Sequence, residues 1–412
     1  MKSTSRMTAS IQDRGTVWPP TKVCMHVLGK ARNDIRVMRA ATALTEAGYK
    51  VSIVDIDRES ALPTEEEFRG VCLKHVIIPG WSVYSRRFDP WFLIRAMSVL
   101  IRSLFLLLRT PADIYHAHDE TALPSCYLVA LLRRKPLIFD AHEVPTSALS
   151  GNWMSLKSLL KRLFLLIVPS CKAVISVSPP IVEEFRRRYC CRKVCLIRNI
   201  PEYVFVPKSD RLRQHLGLSS NVRIALYQGN LQPDRGLDRL IRSAAFLEHD
   251  IVIVLMGRSI RDTQSQLEAL IVSEGTADRV KIIPPVPYKD LLDYTASADL
   301  GLIFYSPDYS LNVRMCLPNK IFEYMMAGIP VLSSDLDAVA EVIKGYDAGQ
   351  VVSSLAPADI GAAISEVLAD RPALERMSRN ALEASRQDLS WEKESRRLTQ
   401  LYQDVLQGEV RG

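Results

Sequence analysis

A chain of 412 residues with 48% hydrophobic and 24% charged side chains is too long for one hydrophobic core and too balanced to be disordered or fibrous. Two folded domains are therefore the starting expectation. A formal net charge of +7 favours anionic partners such as phosphates or acidic lipid, without choosing among them.

Residues 1–20 are polar, lack the apolar stretch of a signal peptide, and read as a flexible tail. A first α/β domain is expected over 21–203. It opens with an apolar run, Val23 to Leu28, a loop from Gly29 to Asp34, a helical stretch with Val37, Ala40, Ala41 and Leu44 on one side, and Gly48 as its stop. Val51 to Ile56 completes a β-α-β unit. The alternation resumes at Ile114-Tyr115, ending in His116-Ala117-His118-Asp119. Pro136 to Phe139 then ends in Asp140-Ala141-His142-Glu143, and Ala173 to Val177 in Ser178-Pro179-Pro180. Short apolar strands separated by helices predict a parallel sheet covered on both faces.

Two long apolar segments raise the membrane question. Trp91 to Leu108 carries Arg95 and Arg102, with Arg109 just beyond, and Trp153 to Val168 carries Lys157, Lys161 and Arg162. Neither offers the roughly 20 uncharged residues of a spanning helix. Residues 153–168 read instead as a basic amphipathic helix suited either to the surface of an acidic membrane or to packing on its own sheet. The 8 cysteines are scattered, and Cys190, Cys191 and Cys195 lack a further ligand at zinc spacing. A reduced cytoplasmic compartment is expected, with no metal.

A polar stretch over 204–218 reads as the linker, and a second doubly wound domain is expected over 219–388. Its strands end in Gly229 and Gly257, at the carboxyl edge where ligands bind in open α/β sheets. Gln228-Gly229-Asn230-Leu231 followed by Asp234-Arg235-Gly236 suits a phosphate site with Arg235 as clamp; a glycine-lined turn with a surface arginine is the plainer alternative. Further on, Pro318-Asn319-Lys320 begins a helix whose amides would point into a crevice beside the Lys320 charge. Glu323, one turn in and amid Phe322, Tyr324 and Met325, needs hydrogen-bond donors such as the hydroxyls of a ribose, unless it pairs with Lys320.

The run Pro318-Asn319-Lys320-Ile321-Phe322-Glu323-Tyr324-Met325 with Ala327-Gly328-Ile329-Pro330 resembles the donor-site signature of retaining family 4 glycosyltransferases of GT-B fold. The resemblance extends from about Val23 to Tyr402 and takes in Asp34-Ile35-Arg36, His116-Ala117-His118, Asp140-Ala141-His142-Glu143 and Ile197-Arg198-Asn199. It implies two Rossmann-like domains facing a cleft, with a C-terminal helix, 389–412, crossing back to the first domain. Glu323 would hold the nucleotide ribose, Arg235 the diphosphate, and the amides around Pro318 and Asn319 phosphate or sugar. His118 would sit against the donor sugar, and loops bearing Asp34, Arg36, Asp140, His142 and Glu143 would shape the acceptor side. Where the family commonly has a glutamate this chain has Met315, so Asn312 becomes the candidate for the sugar hydroxyls. Asn230 replaces a common arginine, leaving Arg235 and Lys320 as the cations.

The resemblance implies an enzyme with no cofactor beyond its nucleotide sugar and no nucleic-acid partner. It would move a hexose with retention onto a glycan or lipid-linked acceptor, in cell-surface polysaccharide or glycolipid synthesis at the inner face of the membrane. Three other readings remain. A nicotinamide oxidoreductase lacks its glycine spacing in the turn after Gly29. A metal-dependent transferase would need Asp55-Ile56-Asp57 or Asp335-Leu336-Asp337, and a non-catalytic scaffold would explain Met315 and Asn230.

Overall fold

The computed structural model describes residues 20–57, 63–78, 90–144, 162–191 and 193–408. The expected tail lies outside them save for Pro20, and so does the helix expected over 153–168 apart from its last turns.

In the first half, β1 (Lys22–His26), α1 (Ile35–Glu46) and β2 (Lys50–Asp57) form the anticipated β-α-β unit. They are followed by β3 (Glu65–Phe68), β4 (Val71–Ile77), α2 (Pro90–Leu108), β5 (Ile114–His118), α3 (Asp119–Arg133), β6 (Leu137–Ala141), β7 (Ala173–Ser176), α4 (Pro179–Tyr189) and β8 (Val194–Leu196). The sheet runs β3-β4-β2-β1-β5-β6-β7-β8. All its pairings are parallel except β3 with β4, which corrects the expectation of a purely parallel sheet. The cause is local: Arg69 and Gly70 both adopt left-handed backbone, φ 54° and 75°, the turn that reverses two strands without splaying them. The acidic edge strand β3 had no apolar period to reveal it, and its charge guards the edge of the sheet.

The second half holds α5 (Arg211–Leu216), β9 (Arg223–Gln228), α6 (Leu237–Ser243), β10 (Ile251–Met256), α7 (Thr263–Ser273), β11 (Val280–Ile283), α8 (Tyr288–Thr295) and β12 (Leu300–Ile303). It continues through α9 (Leu311–Met315), α10 (Asn319–Met326), β13 (Val331–Ser334), α11 (Asp337–Tyr346), β14 (Gly349–Val352), α12 (Pro357–Ala369), α13 (Arg371–Gln387) and α14 (Trp391–Gln407). Its sheet is wholly parallel, in the order β11-β10-β9-β12-β13-β14. Helix α5 falls within the stretch expected to be linker; its Leu212 is buried and Arg213 pairs with Asp299 at 2.5 Å.

Strand order reverses between β1 and β5 in one sheet and between β9 and β12 in the other. The carboxyl ends beside such switch points form crevices, and they carry His118 and Gln228. As the resemblance implied, α14 crosses back. Leu398, Leu401, Tyr402 and Val405 join the core formed by α1 and the first sheet, and Trp391 N donates to Pro201 O at 3.1 Å. Burying each of those aliphatic side chains is worth about 1.5–3 kcal/mol. No helix among the described residues is long and apolar enough to cross a membrane.

Candidate functional site

On the second sheet, β9 delivers Gln228 and then Gly229, whose φ of 125° no side chain adopts without strain. Gly257 lies against it so closely that an added Cβ would sit 1.7 Å from Gly229 O, so both glycines serve the close approach of two loops. Thr295 Oγ1 donates to Gln228 Oε1 at 2.7 Å. That fixes the amide so that Gln228 Nε2 donates to Glu323 Oε2 at 2.5 Å. Burial raises the Glu323 carboxyl above its usual range, against the opposing Gln228 hydrogen bond.

The alternative reading of Glu323, a salt bridge to Lys320, is not seen among the described residues. Instead, Lys320 Nζ stands 3.6 Å above the Tyr227 ring, buried, with no hydrogen-bond acceptor among the described residues. Burial, and then the nearby Arg235, hold this ammonium well below the ordinary lysine range. Arg235 itself lies 4.6 Å over the Tyr305 ring. Helix α10 starts after Pro318 with no side-chain cap, leaving its first amides for another partner. Glu323 lines an interdomain cavity of about 770 Å³, together with Met38 and Arg39 from the first half and Tyr288 from the second.

On the first sheet the candidates converge on Asp140. Arg36 donates to Asp140 Oδ1, His118 Nδ1 lies 3.3 Å from Oδ2, and His142 Nε2 lies 3.8 Å from the same oxygen. Burial alone would raise the Asp140 carboxyl, but Arg36 and the two histidines hold it well below the usual range. His142 is opposed by burial and Arg36, yet Asp119 and Asp140 push it up to about 9. Asp34 serves the fold of this loop, since its carboxylate caps α1, accepting from Arg36 N at 3.0 Å and Val37 N at 3.1 Å. His118 is fully buried, and His116 stacks on it with centroids 4.2 Å apart.

Two expectations gain new structural context here. The sequence shows no metal-ligand cluster, but the fold places ligand atoms of His116, His118 and Asp140 within 4.8 Å of one another. In this arrangement Arg36 holds one Asp140 oxygen, and Tyr402 Oη hydrogen-bonds His116 Nδ1 at 2.7 Å. Asn312, expected at the donor sugar, spans the two halves: its Oδ1 accepts from Val144 N at 3.1 Å and its Nδ2 donates to Glu143. Met315, beside it, accepts at its carbonyl from Ser178 Oγ at 2.6 Å.

Several residues were missed from sequence. Asp119 holds a left-handed φ of 65° at the β5–α3 elbow and reaches His142 Nδ1 at 3.1 Å. Its place directly after His118 was the available signal, since strained backbone gathers at such sites. Arg39 bonds Ile200 O at 3.0 Å and Asn199 Oδ1 at 3.3 Å, and Asn199 in turn reaches Asn319 at 3.3 Å. Nothing local marks Arg39 or Tyr402.

Comparison with known proteins agrees with this architecture. The family model described as Glycosyltransferase Family 4 matches residues 35–200, and that of Glycosyl transferases group 1 matches 208–384. A D-inositol 3-phosphate glycosyltransferase of Thermobispora bispora is 21% identical over 91% of this chain and 90% of its own. One from Catenulispora acidiphila is 24% identical over 91% of each. Among solved structures, sucrose-phosphate synthase from Thermosynechococcus elongatus superposes with a TM-score of 0.76 at 16% identity, covering 94% of this chain and all (100%) of that one. HepE from Anabaena, solved with UDP and glucose, gives 0.70 at 15%, covering 93% and 100%. With one family model on each sheet, a shared crevice between them and the crossing helix in place, the chain belongs to the family 4 glycosyltransferases of GT-B fold.

Proposed function

We propose that this glycosyltransferase uses a nucleotide diphosphate sugar held by Gly229, Arg235, Gly257, Lys320, Glu323 and the amides after Pro318, and transfers the sugar with retention and without a metal. The observation that carries the reading is Lys320, a buried ammonium with no hydrogen-bond acceptor among the described residues, next to Arg235 and an uncapped helix start. Burying such a charge is costly unless an anion meets it, and a diphosphate is an anion of the right kind. The ribose hydroxyls would donate to Glu323, whose raised carboxyl marks a group short of donors.

The acceptor hydroxyl then attacks the anomeric carbon on the face from which the diphosphate departs. The carbon–oxygen bond to phosphate breaks, and the hydroxyl proton passes to the leaving phosphate oxygen. Arg235 and Lys320 would stabilise the charge that develops there, so positioning and electrostatics supply the catalysis. His118, oriented by Asp140, would contact the sugar near the reacting carbon.

The acceptor is proposed to be a glycan or a lipid-linked chain, handled on the cytoplasmic side in polysaccharide or glycolipid synthesis. The relatives' names favour a second reading, a polyol phosphate. Assaying turnover with both acceptor types separates these readings.

Isothermal calorimetry with UDP, GDP and ADP tests the donor site. Glu323→Ala and Lys320→Met should each weaken the best nucleotide about 10- to 100-fold, the loss of a charge-assisted hydrogen bond, while leaving the circular dichroism spectrum unchanged. Unchanged affinity in both variants would overturn the assignment. Turnover should also persist in chelator.

A further inference from the structure

Helix α1 brings two arginines to one of its faces. Arg36 holds Asp140, and Arg39 follows three residues later, a spacing that makes the two neighbours on the helix surface. Arg39 Nη1 donates to Ile200 O at 3.0 Å and to Asn199 Oδ1 at 3.3 Å. Both acceptors are neutral oxygens, and no carboxylate among the described residues forms an ion pair with this guanidinium. Since both bonds use Nη1, the N–H groups of Nη2 and Nε can serve elsewhere.

Glu323 stands on the other side of the cleft. It and Arg39 line the same interdomain cavity of about 770 Å³, a volume in the range of small-molecule sites. The Arg39 charge reaches across that space. Burial raises the Glu323 carboxyl, and Arg39 opposes the rise after Gln228 and Lys320; burial likewise raises the Tyr288 phenol on the cavity wall, again against Arg39. Asn199, which steadies Arg39, also donates to Asn319 Oδ1 at 3.3 Å, at the start of the helix that carries Glu323. Arg39 is thereby tied to the donor helix from the opposite half. A carboxylate that accepts and a guanidinium that donates, facing one cavity without pairing, suit a hydroxyl, which carries one donor hydrogen and two acceptor lone pairs.

We infer that Arg39 completes the donor site from the first half, so that a ribose hydroxyl that donates to Glu323 accepts in turn from the Arg39 guanidinium. The inference rests on Glu323 holding the ribose and adds a residue from the other half to that contact. Its ligand class is a nucleoside diphosphate with both ribose hydroxyls intact, which would tie the two halves together when bound. Bracing the strip at Asn199 and Ile200 is the plainer role for Arg39, and bracing by itself gives no preference between ribose and deoxyribose.

Isothermal calorimetry on the full chain tests the inference, using whichever of UDP, GDP and ADP binds best beside its 2′-deoxy and 3′-deoxy counterparts. The wild-type chain should favour the ribonucleotide over one of them by at least about tenfold, the scale of a charge-assisted hydrogen bond. Arg39→Met should weaken the ribonucleotide about tenfold and leave the disfavoured deoxynucleotide within about twofold, so that the preference shrinks. Arg39→Lys, which keeps the charge without the fork, should retain part of the preference. Asn199→Ala removes one brace and leaves the guanidinium and its bond to Ile200, so it should retain all of it. Should Arg39→Met fail to fold, the narrowed preference of Arg39→Lys carries the test. The inference falls if the Arg39 variants weaken ribonucleotide and deoxynucleotide alike, as lost bracing or a lost phosphate contact would, or if they change neither. Glu323→Ala separates the two readings. If it lowers nucleotide affinity while the Arg39 variants do not, this inference alone falls; if it binds as wild type does, the donor-site reading falls as well.

Discussion

Asp140 is the residue around which the first-domain site is balanced. Its neighbours Arg36, His118 and His142 come from three different elements, and the carboxylate neutralises charge that would otherwise be buried alone. His142 gains from this arrangement: its folded value of about 9 lies above the ordinary 6.5. A raised histidine contributes stability that is fully present below the ordinary value and is lost as pH rises through the folded one. Comparing urea unfolding of the chain with His142→Gln should therefore show a difference of up to about 3 kcal/mol near pH 6, shrinking to nothing above about pH 10. A difference that grows with pH would mean that His142 is held neutral. Single residues of this site were legible where the chemistry is local. His118, Asp140 and His142 stand at strand ends, and Glu323 sits one turn into a helix whose start is written in Pro318 and Asn319. Their partners were not legible, because Arg36 and Asp140 are 104 positions apart.

Among the elements, the crossing helix α14 does more than close the core. Tyr402 reaches His116 across 286 positions, and His116 stacks on His118, so the helix braces the His118 ring. Glu394, on the same helix and fully buried, accepts from Arg198 N and its guanidinium at 3.1 Å each, tying down the strip that carries Asn199. Tyr402→Phe leaves His116 Nδ1 without its partner and should cost about 1–3 kcal/mol of stability. If the stack positions His118, kcat should fall severalfold with donor KM unchanged, and the pH profile should shift; a loss of stability with kcat intact would confine Tyr402 to packing. The apolar period of α14 could be read along the chain, but the surface it covers could not. The β3–β4 hairpin shows the reverse case, since a Glu-rich edge strand carries no apolar alternation and only its turn residues mark it.

At the scale of the whole molecule, the two halves meet through α9. Asn312 binds Glu143 and Val144, and Met315 O takes the Ser178 hydroxyl. These contacts tie the two halves together, and Asn312 is expected to act as a latch on this form. Asn312→Ala should enlarge the radius of gyration measured by small-angle scattering without ligand, and a bound nucleotide sugar should bring it back. Identical scattering curves would remove the latch. Gliding of two rigid halves over a crevice is the expected behaviour of domains joined by short polar connections.

Strand and helix alternation and the standing of His118, Asp140 and Gln228 at strand ends were determined by the sequence alone, because periodicity, helix stops and turn residues act over a few positions. What only the tertiary structure decided is which side chains share a charge. Sheet order brings β1, β5 and β6 side by side from distant stretches, so that Arg36, His118 and Asp140 meet, places Tyr402 behind His116, and gives Asn312 its partners Glu143 and Val144 in the other half. Such contacts depend on burial and strand order, and no local pattern of residue types encodes them.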